Sequence, residues 1–314
     1  MKALRIGTRG SPLAMWQATW VADRLRALHP ELAVVIETIR TSAELFPEEK
    51  PEAIGVGIFT KQIDEALLER RVDLAVHSLK DVPSQTHPLL AFAAIPERES
   101  PFDAFLAADS DSPQLFHLPP GAVIGTGSPR RRAQILERRP DLRVEPLRGN
   151  VDTRIRKARE GGMAGTILAC AGLKRLGKEA MIRNVLSVAE VVPAVGQGAL
   201  GIMARADREE VLALAAPLDH RPSRLRVQAE RAFLATLRGG CQVPAGALAE
   251  FTTGETITLT AVLAATDGSI CLRESASAPS CEGEALGRKI AQRLLDRGGA
   301  KLLELARGGA NGGR

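Results

Sequence analysis

The first third of the chain alternates two hydrophobic rhythms, and the alternation predicts its elements. Leu4-Arg5-Ile6 reads as a short strand. Ser11 and Pro12 then open a segment with apolar residues at Leu13, Trp16, Trp20, Val21, Leu25 and Leu28, the spacing of one helical stripe. That stripe places both tryptophans in the core. Leu32 to Ile39, rich in β-branched residues, predicts a second strand. After a polar, proline-containing stretch from Thr41 to Gly57, Thr60 is expected to cap a helix running through Leu68. The runs Val72–Val76 and Leu89–Ile95 read as two more strands.

A second unit repeats the opening of the first. Pro96 to Pro101 looks like a crossover. Beyond it, Ile124-Gly125-Thr126-Gly127-Ser128-Pro129 echoes Ile6-Gly7-Thr8-Arg9-Gly10-Ser11-Pro12. In both, a strand ends in Gly-Thr, and a Ser-Pro pair supplies the N-cap and first residue of a helix. Such a terminus turns N–H groups and the positive end of the helix dipole outward, which suits an anion. One is only a well-capped helix; two in matching places predict related domains facing a shared anionic ligand. The unit continues with a strand at Leu142–Val144, a loop at Pro146–Asn150, and a helix from Val151 to Glu160 stopped by Gly161-Gly162. A buried strand follows at Thr166–Cys170. Val192 to Ala199 reads as a return crossing, and Leu200–Met203 as a strand that rejoins the first sheet.

From about Asp219 the pattern changes. An amphipathic helix over Ser223–Leu237 precedes alternating strands at Ala245–Phe251, Thr256–Ala264 and Ile270–Glu274, then a helix from Gly283 to Arg297. The expected fold class is α/β, with two periplasmic-binding-protein-like α/β domains joined by two crossings and a small C-terminal α+β domain. The expected boundaries are 1–96 with 197–217, then 100–192, then 218–307, with 308–314 a disordered glycine-rich tail.

Composition narrows the function. The 314 residues, 45% hydrophobic and 25% charged, belong to a globular chain. No apolar run approaches the roughly 20 residues of a membrane span. The N-terminus enters a strand with no signal-peptide core, so a cytoplasmic protein without membrane association is expected. The four cysteines, Cys170, Cys241, Cys271 and Cys281, show no CxxC spacing, which predicts reduced thiols and no metal site. A net charge of +5 calls for an anionic partner. Aromatics are 3% with no tyrosine, so a base-stacking platform is hard to build; duplex phosphates or a small polyanion in a cleft remain.

Two features read either as solvated surface charge, at a strand exit and on a basic face, or as chemistry. At Val76-His77-Ser78-Leu79-Lys80-Asp81-Val82-Pro83 a buried strand stops and sets a hydroxyl, a cation and a carboxylate side by side. In open α/β sheets, ligands sit beyond the carboxyl ends of the strands. The other feature is the arginines: Arg9 in the first anion loop, Arg130, Arg131 and Arg132 in the first turn after Ser128-Pro129, Arg148 and Arg154 around Asn150, and Arg175. Cations in a first helical turn oppose the dipole, so three together fit a site for carboxylates, and a phosphate fits equally well. Cys241, in a Gly-Gly-Cys turn with little side-chain bulk, reads from spacing alone as either a structural cysteine or a reactive thiol, whereas Cys170 reads as inert core.

With these motifs the chain resembles the hydroxymethylbilane synthase (porphobilinogen deaminase) family over nearly its full length. The resemblance rests on Gly7-Thr8-Arg9 with Ser11-Pro12-Leu13-Ala14, on Ala75 to Pro83, and on Arg130-Arg131 with Gln134. Leu147-Arg148-Gly149-Asn150-Val151, Ala171 to Gly177, Pro193 to Gly198 and Gly239-Gly240-Cys241-Gln242-Val243-Pro244 extend it. It implies a transferase of porphyrin and heme biosynthesis. A dipyrromethane cofactor on Cys241, joined by a thioether, receives four porphobilinogen units with loss of ammonia, and water releases hydroxymethylbilane. Asp81 would be the catalytic carboxylate, placed near a cationic azafulvene and the pyrrole cation that follows. Lys80, Ser78, Thr126, Ser128, Arg130, Arg131 and Gly149 would bind the cofactor. Arg9, Ser11, Arg148, Arg154 and Arg175 would face the substrate, in the cleft between the first two domains. The resemblance also implies a monomer, no nucleic acid, and hand-off of product to uroporphyrinogen-III synthase. One region departs from the family: the usual Gly-Gly-Lys-Gly-Leu-Phe loop reads Gly55-Val56-Gly57-Ile58-Phe59 here, with Val56 replacing the lysine.

Overall fold

Two five-stranded mixed sheets built to one plan organise most of the chain. The computed structural model describes residues 3–41, 57, 59–109, 113–238 and 244–311. In chain order the elements begin with β1 (Ala3–Thr8), α1 (Pro12–Leu28), β2 (Ala33–Thr38), α2 (Lys61–Leu68), β3 (Leu74–Ser78) and β4 (Leu90–Ala94). Next come β5 (Asp103–Ala107), β6 (Val123–Gly125), α3 (Pro129–Arg138), β7 (Arg143–Glu145), α4 (Val151–Glu160), β8 (Gly165–Ala169), α5 (Cys170–Arg175) and β9 (Asn184–Leu186). Then follow β10 (Leu200–Arg205), α6 (Glu209–Ala215) and α7 (Arg221–Thr236). The last are β11 (Ala245–Thr253), β12 (Thr256–Ala264), β13 (Cys271–Pro279), α8 (Gly283–Leu294) and α9 (Ala300–Asn311). Two units result: Met1–Glu99 with Gly198–Leu225, and Ser100–Gln197 with Arg226–Arg314.

The strand order is β2-β1-β3-β10-β4 in the first unit and β7-β6-β8-β5-β9 in the second. In each, the strand before the Ser-Pro helix (β1 and β6) lies parallel to its two neighbours, and an antiparallel strand takes the fourth place. That fourth strand is the one entered after a crossing: β10 after the return, β5 after the first. Leu200–Met203 thus rejoins the first sheet as expected, and the repeated Gly-Thr…Ser-Pro motif marks a repeated topology. β5 and β9 escaped the sequence reading. The order reverses direction between β1 and β3, and between β6 and β8, so the carboxyl ends of those pairs are the topological switch points.

Several local expectations change. The buried face of α1 is Ala14, Gln17, Ala18, Val21, Ala22 and Leu25. Alanines at i, i+4 and i+8 let the helix lie close to the sheet, while Trp16 and Leu28 are turned outward. Trp16 is 38% exposed and Leu28 46%, so the tryptophans are not core residues; Trp20 packs at its edge under Arg24. Thr60 stands at the N-cap of α2, yet its side chain makes no capping bond. Cys170 does not end a strand but opens α5, and it is buried. The expected helix from Gly283 breaks where Gly298 adopts φ 104, and α9 continues to Asn311, into the segment expected as a tail.

The C-terminal sheet β11-β12-β13 is antiparallel and lies within the second unit. Its core joins Phe233 of α7 to Leu259, Leu263 and Ile290, and it takes in Val195 from the return crossing. Glu230 fastens the same crossing, accepting from Gly196 N at 2.8 Å and from Ala249 N at 2.9 Å. Gly246 is pressed still closer: a Cβ there would stand 2.5 Å from Pro193 O, 2.8 Å from Val192 O and 2.9 Å from Arg130 Cδ. Because two of these neighbours are backbone, Gly246→Ala should destabilise the chain by about 1–3 kcal/mol, the usual cost of overpacking. A thermal melt unchanged from the wild type would show that β11 does not need this approach.

Candidate active site

In the first unit the switch point gathers a small polar pocket of about 60 Å³ lined by Arg9, Ser11, Gln17, Phe59, Thr60, His77, Ser78 and Asp81, among others. β1 ends at Thr8, so Arg9 falls in the loop before α1, where Ser11 Oγ accepts from Ala14 N at 3.3 Å. β3 runs two residues beyond the sequence expectation, through His77 and Ser78, and turns into a single 3₁₀ turn at Leu79–Asp81. That turn carries half-buried Lys80 and Asp81. The pocket thus brings Arg9, Ser11, Ser78 and Asp81 together. Gln17, missed from the sequence because it sits among apolar helical positions, reaches Ser78: its Nε2 donates to Ser78 Oγ at 2.8 Å. Arg9 stacks over the Phe59 ring, 4.6 Å from its centroid, which fixes one face of the guanidinium.

Behind this pocket lies a buried pair. His77 Nε2 stands 3.8 Å from Asp64 Oδ1 on α2, and among the described residues neither atom has a hydrogen-bond partner. Burial, with Arg9 nearby, pulls the imidazole down to about 4, while burial pushes the Asp64 carboxyl up to about 6.

In the second unit the switch point holds the other anion loop. Ser128 Oγ accepts from Arg131 N at 3.4 Å, and Ser128 N donates to Thr126 Oγ1 at 3.3 Å. A Cβ on Gly127 would stand 2.9 Å from Leu147 O, so the loop carrying Arg148 and Gly149 lies against it. Gly149, at φ 122, gives its carbonyl to Arg154 Nε at 2.8 Å, while Asn150 caps α4 through Thr153 N. Arg175 ends α5, half-buried.

Arg130 and Arg131 are only 4% and 5% exposed, and both pair with Asp103 of β5, which is fully buried. Arg131 Nε and Nη2 donate to Asp103 Oδ1 at 3.0 and 2.7 Å, and Arg131 Nη1 donates to Ile167 O at 2.8 Å. Arg130 Nη1 stands 2.9 Å from Asp103 Oδ2 and donates to Val192 O at 2.6 Å. Burial alone would raise the Asp103 carboxyl, but the two guanidiniums together hold it well below the usual carboxylate range. Arg132 turns elsewhere and donates to Val144 O. The sequence reading missed Asp103; its signal was a carboxylate inside the apolar run Phe102 to Leu106.

Among the described residues two buried guanidiniums face one carboxylate, which leaves one positive charge to be matched. Buried charge is costly unless paired, so the site fits an anionic group. A cofactor bearing carboxylates fits this donor set. Cys241, expected to bind it, lies outside the described residues, as does most of the Thr41–Phe59 stretch; Gly246, pressed on Arg130, follows Cys241 by five residues. Cys271 and Cys170 are poor nucleophile candidates: burial and the Glu137 charge push the Cys271 thiol up to about 12, and burial raises Cys170. Among the described residues no cluster of His, Cys, Asp or Glu is placed to hold a metal ion, and no helix is long and apolar enough to cross a membrane.

Residues 4–213 match the family model described as porphobilinogen deaminase, dipyromethane cofactor binding domain, and residues 224–296 match its C-terminal domain. Porphobilinogen deaminase of Desulforudis audaxviator is 48% identical over 306 residues, covering 97% of this chain and 98% of that protein. The enzyme of the same name from Syntrophotalea carbinolica is 47% identical, covering 96% and 95%. Among solved structures, the probable amino-acid ABC transporter extracellular-binding protein ytmK of Bacillus subtilis is 10% identical at a TM-score of 0.45, covering 69% of this chain and 90% of that one.

The His77–Asp64 pair makes a pH prediction. A histidine lowered from 6.5 to about 4 withdraws stability as pH falls through that window, because the unfolded chain binds the proton first. An aspartate raised from 3.8 to about 6 does the opposite: its burial cost is full above 6 and vanishes as pH falls to 3.8. Each is worth at most roughly 3 kcal/mol, so they nearly cancel in the wild type. Melts between pH 4 and 6.5 should fall more steeply on acidification in Asp64→Asn and less steeply, or rise, in His77→Asn. Identical slopes in all three proteins would show that the two groups do not titrate apart.

Proposed function

The chain belongs to the porphobilinogen deaminase family, and we propose that it acts as a hydroxymethylbilane synthase. It condenses four porphobilinogen molecules head to tail, with loss of ammonia, on a dipyrromethane primer held through Cys241, and water then releases the linear tetrapyrrole. Beyond membership, one observation supports the reading: the positive charge of Arg130 and Arg131 that stays unmatched among the described residues, in a buried site at a helix start. Each pyrrole of such a chain brings two carboxylates, which is what that site and the Arg9–Ser11 loop are suited to receive.

Dipyrromethane supplies the nucleophilic pyrrole carbon on which the chain is built. Arg130, Arg131, Thr126, Ser128 and the Gly149 backbone would hold its acidic side groups, with Lys80 and Ser78 contributing from the 3₁₀ turn and the strand before it. Arg9, Ser11, Arg148, Arg154 and Arg175 would orient the acetate and propionate groups of incoming substrate. Guanidinium stacking on Phe59 supports this for Arg9, since a fixed plane presents its fork without further ordering. Asp81 would stabilise the cation left when ammonia departs and take up the proton that the attacking carbon must lose. The Gln17–Ser78 bond ties the strand end to α1, which keeps the Asp81 turn beside Arg9.

Intact mass spectrometry tests the reading directly. The purified protein should exceed its sequence mass by one dipyrromethane, and Cys241→Ser should remove that increment. An unmodified chain that still turns over porphobilinogen would rule the reading out. Asp81→Ala should lower turnover by at least ~10²-fold with an unchanged melting curve, since it removes a charge used in reaction and not in packing.

A further inference from the structure

Arg130 and Arg131 do not set their own geometry. We propose that Asp103 is the positioning residue for both, fixing their guanidiniums and cancelling one of their two charges so that the pair is matched to a single carboxylate group. This rests on the reading of the two arginines as holders of the primer.

Asp103 lies in β5, and no part of it is exposed. Its Oδ1 accepts from Arg131 Nε, from Arg131 Nη2 and from Gln197 Nε2 at 2.9 Å, while Oδ2 faces Arg130. With the bond to Ile167 O, all three nitrogens of the Arg131 guanidinium hold protein oxygens, and its plane is fixed. Three of the five N–H donors of a guanidinium are thereby committed, and two remain for a ligand. Gln197 also donates to Pro101 O at 2.7 Å. One carboxylate therefore registers the arginines against the segments that open and close the Ser100–Gln197 stretch. An amide in its place cannot do this: its NH₂ end would meet the N–H groups of arginine or glutamine, and both positive charges would be left buried.

The test uses the intact chain as Asp103→Asn, Asp103→Glu and the double variant Asp103→Asn/Arg131→Gln. Each is measured for primer loading by intact mass, for kcat and KM with porphobilinogen, and for melting temperature. Asp103→Asn should lose ~10- to 100-fold in loaded, active protein, with KM of the loaded fraction changed less than about threefold, because misplaced holders affect the primer and not the Arg9 pocket. Asp103→Glu keeps the charge but shifts it by a methylene, and it should fold yet remain impaired in loading. The double variant removes one of the unmatched charges and should regain melting temperature without regaining turnover. If it regains both, or if Asp103→Asn loads and turns over like the wild type, Asp103 is no positioning residue. If Asp103→Asn does not fold, the other two variants decide: wild-type loading and kcat in Asp103→Glu overturn the proposal. A wild-type chain that carries no primer would instead refute the proposed function.

Discussion

A single carboxylate with no exposed surface organises the charged interior of the second unit. Asp103 is stable there only because two guanidiniums and an amide surround it, and the guanidiniums are tolerated only because it is ionised. Removing one partner from such a set leaves an uncompensated buried charge, far costlier than the loss of one contact. The helix start that seemed to violate the dipole rule is thereby explained. The acid absent from the first turn of α3 is supplied by a strand instead.

Sequence reasoning reached the parts of this fold that local rules determine. Ser11 and Ser128 cap their helices with the side-chain bonds that Ser-Pro spacing implies, and the matching Gly-Thr ends proved to be equivalent places in equivalent sheets. Where it failed, a long-range term had intervened. The stripe on α1 was drawn through its largest apolar residues, but closeness to the sheet selects alanine. Thr60 stands at a helix start, yet its hydroxyl is buried without a capping bond. Asp103 and Arg131 are 28 residues apart, and no periodicity links a strand carboxylate to a helical cation. The role proposed for Asp81 came through family resemblance; its surroundings, including Gln17 and the His77–Asp64 pair, required the structure.

The two polar sites differ in how they are held. The Arg9 pocket is shaped by loops and by the stacked Phe59 ring, with a glutamine–serine bond at its back. The Arg130–Arg131 site is locked by ion pairs, by the Val192 carbonyl and by the Gln134 amide, which both accepts from and donates to that same backbone unit. In the proposed reaction a new substrate would enter at every addition, whereas a covalently anchored primer would stay in place. A looser setting for the one and a rigid setting for the other agree with that division.

The shared strand plan also bears on how the chain is made. All five strands of the second sheet lie between residues 103 and 186, an unbroken stretch of sequence. The first sheet needs β10, whose Leu200 pairs with Ser78 across more than a hundred residues of intervening chain. During synthesis the first sheet therefore stays open, with the edges of β3 and β4 unpaired, until the whole of the second has emerged. Of these two sheets, the one that begins first is the one that finishes last.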